Sequence, residues 1–184
     1  KETTLRKIAL EMNISQGNLS YHYRTKQEII AQLYFDLVEL MDEEMKKMDG
    51  NQPLLGVLFD SSKISMQCLY DYRFLMRDFH QIMNENAKLK NHYTQLQAFR
   101  AEQYIQLFGA LQAQGLIRQE EFANEYSRFY QRMNILGDNW INTHELLSEG
   151  LLEPVNYYNS LLFEVIYPYL TVKGKEEYLK VTKK

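Results

Sequence analysis

A single cysteine, Cys68, leaves no partner for a disulfide within the chain, and a reducing cytoplasm is its expected setting. Proline occurs 3 times and glycine 8 times in 184 residues, which is sparse for a turn-rich fold and favours long helices. The apolar stretch at 160–170 is too short to cross a bilayer and contains Glu164 and Pro168, so no membrane association is expected. No signal peptide is read at the start, and Lys1 already stands inside a motif, so the chain reads as a fragment of a longer protein. Metal-binding and catalytic patterns are also lacking. The residues three before His22, His80, His92 and His144 are Leu19, Arg77, Leu89 and Ile141, so the Glu-x-x-His pairs of a di-iron bundle are absent. There is no His-Glu-x-x-His and no glycine-rich phosphate loop. Neither catalysis nor a cofactor is expected.

The apolar content, by contrast, is large. Hydrophobic residues make up 45% and aromatics 13%, enough for a substantial core. The length suits one large domain or a small module joined to a larger one. The net charge of −3 argues against a uniformly sticky nucleic-acid binder, yet the charge is unevenly placed. Residues 1–26 hold Lys1, Arg6, Lys7, Arg24 and Lys26 against Glu2 and Glu11, a balance of +3 that leaves −6 for the rest. A basic head on an acidic body suits a protein that meets phosphate at one end.

Periodicity divides the chain into helices. Leu5, Ile8, Ala9 and Met12 share one face of a helix starting near Thr4. Asn13 tolerates the left-handed backbone of a tight turn, Ile14 points back inward, and Ser15 caps a second helix with Leu19 and Tyr23 inside. Thr25-Lys26-Gln27-Glu28 is a capping box that opens a third helix, running to about Met48. Further helices are expected over 53–72, 74–83, a long stretch to Gly115, 121–147 (with Phe122 on its stripe) and 154–169, with a polar tail helix after Gly174. No alternating strand pattern competes. The class is all-α, with a helix-turn-helix head at 1–30 and a helical-bundle body at 31–184.

A helix-turn-helix needs apolar inner faces, a small residue at the crossing and a turn that permits a sharp bend. Ile8, Ala9, Met12, Asn13, Ile14 and Leu19 supply these in order, with Ala9 at the crossing. The outward face of the second helix is then Gln16, Gly17, Asn18 and Tyr21, at the end that enters the major groove in such motifs.

Three runs, Thr4-Leu5-Arg6-Lys7-Ile8-Ala9, Ile14-Ser15-Gln16-Gly17-Asn18-Leu19 and Tyr21-His22-Tyr23-Arg24-Thr25-Lys26, resemble the head of the tetracycline-repressor (TetR) family. The close likeness covers residues 3–34, and beyond it the resemblance is architectural. It implies a bacterial transcriptional regulator, a repressor by expectation, that binds a palindromic double-stranded DNA operator as a homodimer. Gln16, Gly17, Asn18 and Tyr21 would face bases, while His22 and Lys26 would hold phosphates. Ser20 stands where the family usually carries an aromatic phosphate contact, and its hydroxyl can still reach a phosphate. The helix that normally precedes this motif is missing from the sequence, so the head is expected to be incomplete.

The body is dense in large soft side chains. The resemblance implies a pocket for a small apolar effector within the bundle, with Phe59, Met66, Tyr70, Tyr104, Phe108, Phe129 and Met133 as candidate lining. Asp60, Asp71 and Asp78 are expected to face solvent, which favours a neutral or weakly acidic ligand. The stripes at 121–147 and 154–169 are broad, with Tyr157, Tyr158, Leu161 and Leu162 adjacent, more than one buried face requires. These two helices are the expected dimer interface. Two other readings fit the sequence: a helical adaptor whose helix-turn-helix binds protein, and an uncharacterised all-α enzyme.

Overall fold

The computed structural model describes residues 3–147 and 150–183; Lys1 and Glu2, counted above in the basic head, lie outside them. Three side-chain caps organise the N-terminal part. Thr4 Oγ1 accepts from the Lys7 N–H at 3.3 Å and opens α1 (Leu5–Glu11). Ser15 Oγ accepts from the Asn18 N–H at 3.1 Å and opens α2 (Gln16–His22). Thr25 Oγ1 accepts from the Glu28 N–H at 3.2 Å and opens α3 (Lys26–Lys46). Each satisfies a backbone donor that the first helical turn leaves unpaired. The Glu28 carboxylate accepts from the Arg24 N–H at 2.7 Å, one residue before the cap, so the capping box closes slightly early.

The body is built round α4 (Leu54–Asp71), which packs against α3, α7 (Ala87–Ala113), α9 (Pro154–Glu164) and α10 (Val172–Thr182). Its Leu55 and Leu58 are fully buried, beside Phe108 and Leu111 of α7 and Phe163 of α9 in one core. The segment expected as one helix at 74–83 is two, α5 (Arg73–Arg77) and α6 (Phe79–Glu85), parted at Asp78. α8 (Glu125–Leu147) starts four residues later than expected because Asn124, at φ 62°, holds the left-handed conformation that interrupts a right-handed helix. Phe122 consequently lies off the helix and stays exposed. After α9 the chain tightens into a 3₁₀ turn, Tyr167–Tyr169, around Pro168.

Two distant loops close the bundle. Ile117 bridges Leu170 in an isolated antiparallel pair, with the Arg118 N–H donating to the Tyr169 carbonyl (2.9 Å) and the Thr171 N–H to the Leu116 carbonyl (3.0 Å). Thr171 also caps α10 by accepting from the Gly174 N–H at 3.1 Å. A Cβ on Gly174 would lie 1.9 Å from the Leu116 carbonyl oxygen, so only glycine permits this approach. Beside the closure, Arg118 donates twice to the Glu125 carboxylate, at 2.8 and 2.7 Å. Those bonds, with the Glu121 N–H, hold the Glu125 acid down at about 2 against the cost of its burial. Among the described residues no helix is long and apolar enough to cross a membrane.

Candidate functional site

The head geometry follows from one turn. Asn13 adopts φ 55°, and the Ile14 N–H donates back to the Ala9 carbonyl at 3.0 Å, which swings α2 across α1. Ala9 and Leu19 are buried at the crossing. Met12, expected on the inner face, is exposed instead, because α1 ends at Glu11 and the chain has begun to turn outward. Gln16, Gly17, Asn18, Tyr21 and His22 all lie exposed on α2, with Tyr21 and His22 meeting edge to face at 5.2 Å. Ser20 is half-buried on the same helix. Lys26 is half-buried in the first turn of α3, where unpaired N–H groups and the helix dipole favour an anion. The candidate base-facing residues therefore stand clear of the fold on a short, capped helix.

A cavity of about 580 Å³ opens between α3, α4, α7 and α8, with Leu162 of α9 also lining it. That volume lies within the range of small-molecule sites. Of the seven candidate lining residues, Met66, Tyr104 and Met133 line it. The other four pack elsewhere. Phe59 meets Phe163 edge to face at 5.0 Å, Tyr70 stacks on Trp140 at 5.6 Å, and Phe108 and Phe129 sit 5.1 Å apart in a cluster that includes Tyr126 and Tyr169. For Tyr70, Phe108 and Phe129 the reason is angular. Leu69, Leu107 and Tyr130 line the cavity, and the next or preceding residue on a helix points about 100° away from such a position.

Sequence reasoning missed the cavity's polar wall. On α7, Gln97, Arg100 and Tyr104 line the cavity, and together with Tyr93, which does not, they follow a 4-3-4 spacing that places them on one face, a signal present in the amino-acid sequence itself. Opposite them on α8 stand Tyr130, Asn134 and Asp138. The Tyr93 hydroxyl donates to Asp138 Oδ2 at 3.3 Å, while Asn134 and Tyr130 both donate to Gln97 Oε1, at 3.3 and 3.5 Å. Burial pushes the Tyr93, Tyr104 and Tyr130 phenols up; partial desolvation also pushes up the Asp138 carboxyl, although that residue stays exposed. Arg100 turns the other way and donates to Met41 Sδ of α3 at 3.3 Å.

α3 joins the two sites. Its first turn carries Lys26 and its last two turns carry Met41 and Met45 in the cavity wall. Midway, Tyr34 and Leu37 are buried, and the Tyr34 hydroxyl is hydrogen-bonded to His92 Nδ1 of α7 at 2.9 Å. α8 and α9 also pack together and keep apolar side chains outward: Ile135, Leu136, Tyr157 and Leu161 are exposed. Their neighbours Tyr158 and Leu162 are buried within the subunit. Each of the two helices thus has one inner and one outer apolar face.

The body at 37–178 matches the family described as TetR: Bacterial transcriptional repressor. A crystal structure of a TetR-family transcriptional regulator from Marinobacter aquaeolei VT8 superposes with a TM-score of 0.81 at 22% identity, over 99% of this chain and 88% of that one. No curated protein matches the chain.

Proposed function

Because the chain belongs to the TetR family, and is thereby a transcriptional regulator and not an enzyme, we propose that it represses transcription by binding a palindromic operator as a homodimer and lets go when a small, mainly apolar effector enters the cavity. The cytoplasm is its proposed setting. Gln16, Gly17, Asn18 and Tyr21 read bases from the start of α2, and Ser20, His22 and Lys26 hold phosphates. The outer faces of α8 and α9 pair with the same faces of a second copy about a two-fold axis, a self-complementary contact that sets two recognition helices about one turn of DNA apart.

One observation carries this reading: a single helix, α3, has a phosphate-favouring first turn at one end and the wall of a ligand-sized cavity at the other. An effector that prefers one position of Met41 and Met45 shifts the population of Lys26 positions, and it can shift it only by its own difference in affinity for the two states. The test is selection of bound sequences from a random duplex pool by the purified protein. The expected result is a palindromic consensus with half-sites about 10 base pairs apart, lost steeply as salt rises. Enrichment of no sequence, with salt-insensitive retention, would overturn the DNA-binding part of the proposal.

A further inference from the structure

The cavity contains one cation whose hydrogen-bonding capacity is unmet. Arg100 is half-buried in the wall, and a guanidinium offers five N–H donors. Its hydrogen bond goes to the thioether of Met41, a weak acceptor. Among the described residues no carboxylate oxygen lies within 4.0 Å of it. The other charges lining the cavity are spoken for or peripheral. Asp138 accepts from Tyr93, and Asp42 and Lys46 are exposed, four residues apart on α3. Much of the remaining wall is alkyl and thioether, including Met66, Leu107 and Met133.

A guanidinium facing such a surface gains most from a planar anion that accepts two parallel N–H bonds, and the apolar wall rewards a hydrocarbon tail. Building on the reading of this cavity as the effector site, we infer that the effector is an amphipathic monocarboxylate, with its head group on Arg100 and its tail between α4 and α8. An amphipathic amine fits less well. It would meet the Arg100 charge at close range, and Asp138, the lining acid on whose anion the Arg100 charge acts, already accepts from Tyr93.

The experiment compares octanoate, 1-octanol and octylamine, three probes with one tail and different heads, by calorimetry and thermal shift on the whole chain near neutral pH. Octanoate is expected to bind at least about tenfold more tightly than octanol, with octylamine weakest. Arg100→Met keeps the apolar volume and should remove the octanoate advantage, bringing acid and alcohol to comparable affinity. Arg100→Lys should keep part of it, since charge survives but the bidentate fork does not. Equal binding of acid and alcohol by the wild-type chain would overturn the head-group assignment and leave the cavity as an apolar effector site. So would an octylamine preference abolished by Asp138→Asn. Should none of the three bind, the effector reading of the cavity falls and the inference falls with it.

Discussion

At the scale of single residues, the proposed DNA contacts of the head are of two kinds that substitution can tell apart. Gln16 and Asn18 are amides at the exposed start of α2, and a bidentate amide–adenine pair discriminates by about 1–3 kcal/mol. Gln16→Ala or Asn18→Ala should therefore weaken binding at particular operator positions and leave others untouched. Lys26 offers a point charge in the first turn of α3. Lys26→Ala should weaken all sequences alike and lower the slope of log affinity against log salt by about 1. Binding curves on an operator and its single-base variants, repeated over a salt series, check both; a change of sequence preference on Lys26→Ala would mean that α2 docks differently. In the body, Glu125 sets a pH dependence. Its acid is held at about 2, below the ordinary 4.5, by the Arg118 hydrogen bonds. A carboxyl depressed on folding stabilises fully above its unfolded value, and that contribution is lost as pH falls from about 4.5 toward 2. Glu125→Gln should melt lower than the wild type at neutral pH, and the gap should close through that acid window in a series of thermal melts. A constant gap at every pH would place the effect in packing instead of charge.

At the scale of elements, legibility in the sequence depends on whether a local rule governs the boundary. Thr4, Ser15 and Thr25 cap their helices by hydrogen bonds to residues three ahead, and Asn13 makes its turn with a positive φ, so these features are legible. The late start of α8 rests on Asn124, which permits a positive φ without requiring it, and the pairing of Ile117 with Leu170 joins distant segments that no window of neighbouring residues contains. The cavity is legible only in part. Aromatic size marks burial but not direction, so Phe108 and Phe129 read like Tyr104 although they point away from it. Arg100 is marked only by the 4-3-4 spacing it shares with Tyr93, Gln97 and Tyr104, because an arginine on a long helix ordinarily faces solvent. Side-chain direction likewise divides Leu161 from Leu162. Adjacent in sequence, they lie on different faces of α9: Leu161 is 40% exposed and Leu162 is 7% exposed, facing the cavity. Leu161→Glu should give a folded monomer by light scattering, with a melting temperature measured at the monomer's own concentration. Leu162→Glu buries a charge in the subunit and should unfold it, at a cost of several kcal/mol. A folded Leu161→Glu dimer would move the interface off this face.

At the scale of the molecule, the proposed regulation requires that a compound in the cavity be felt at the DNA. The 21 residues of α3 span about 31 Å, and the helix is held near its middle. Tyr34 there is 2% exposed, packs edge to face on His92 at 5.6 Å and shares a hydrogen bond with it at 2.9 Å. A stiff helix held at its centre behaves as a lever, so on the proposed function displacement of Met41 and Met45 by an effector would move Lys26 by a similar amount the other way. The alternative is that effector binding loosens α3 altogether, with no fulcrum. Tyr34→Phe distinguishes these, because it keeps the buried ring and removes the hydrogen bond to His92 of α7. On the lever account the variant binds DNA alone and effector alone within a few-fold of the wild type, while the coupling between them falls. Typical couplings are about 1–3 kcal/mol, and linkage requires DNA to weaken effector binding by the same factor as the reverse. Measuring operator affinity with and without saturating effector, and effector affinity with and without operator, gives that factor twice. Both values should shrink together in Tyr34→Phe. If the variant keeps the full wild-type coupling in both directions, Tyr34 is not the fulcrum, and the signal passes along α3 by a route that does not depend on its anchorage to His92.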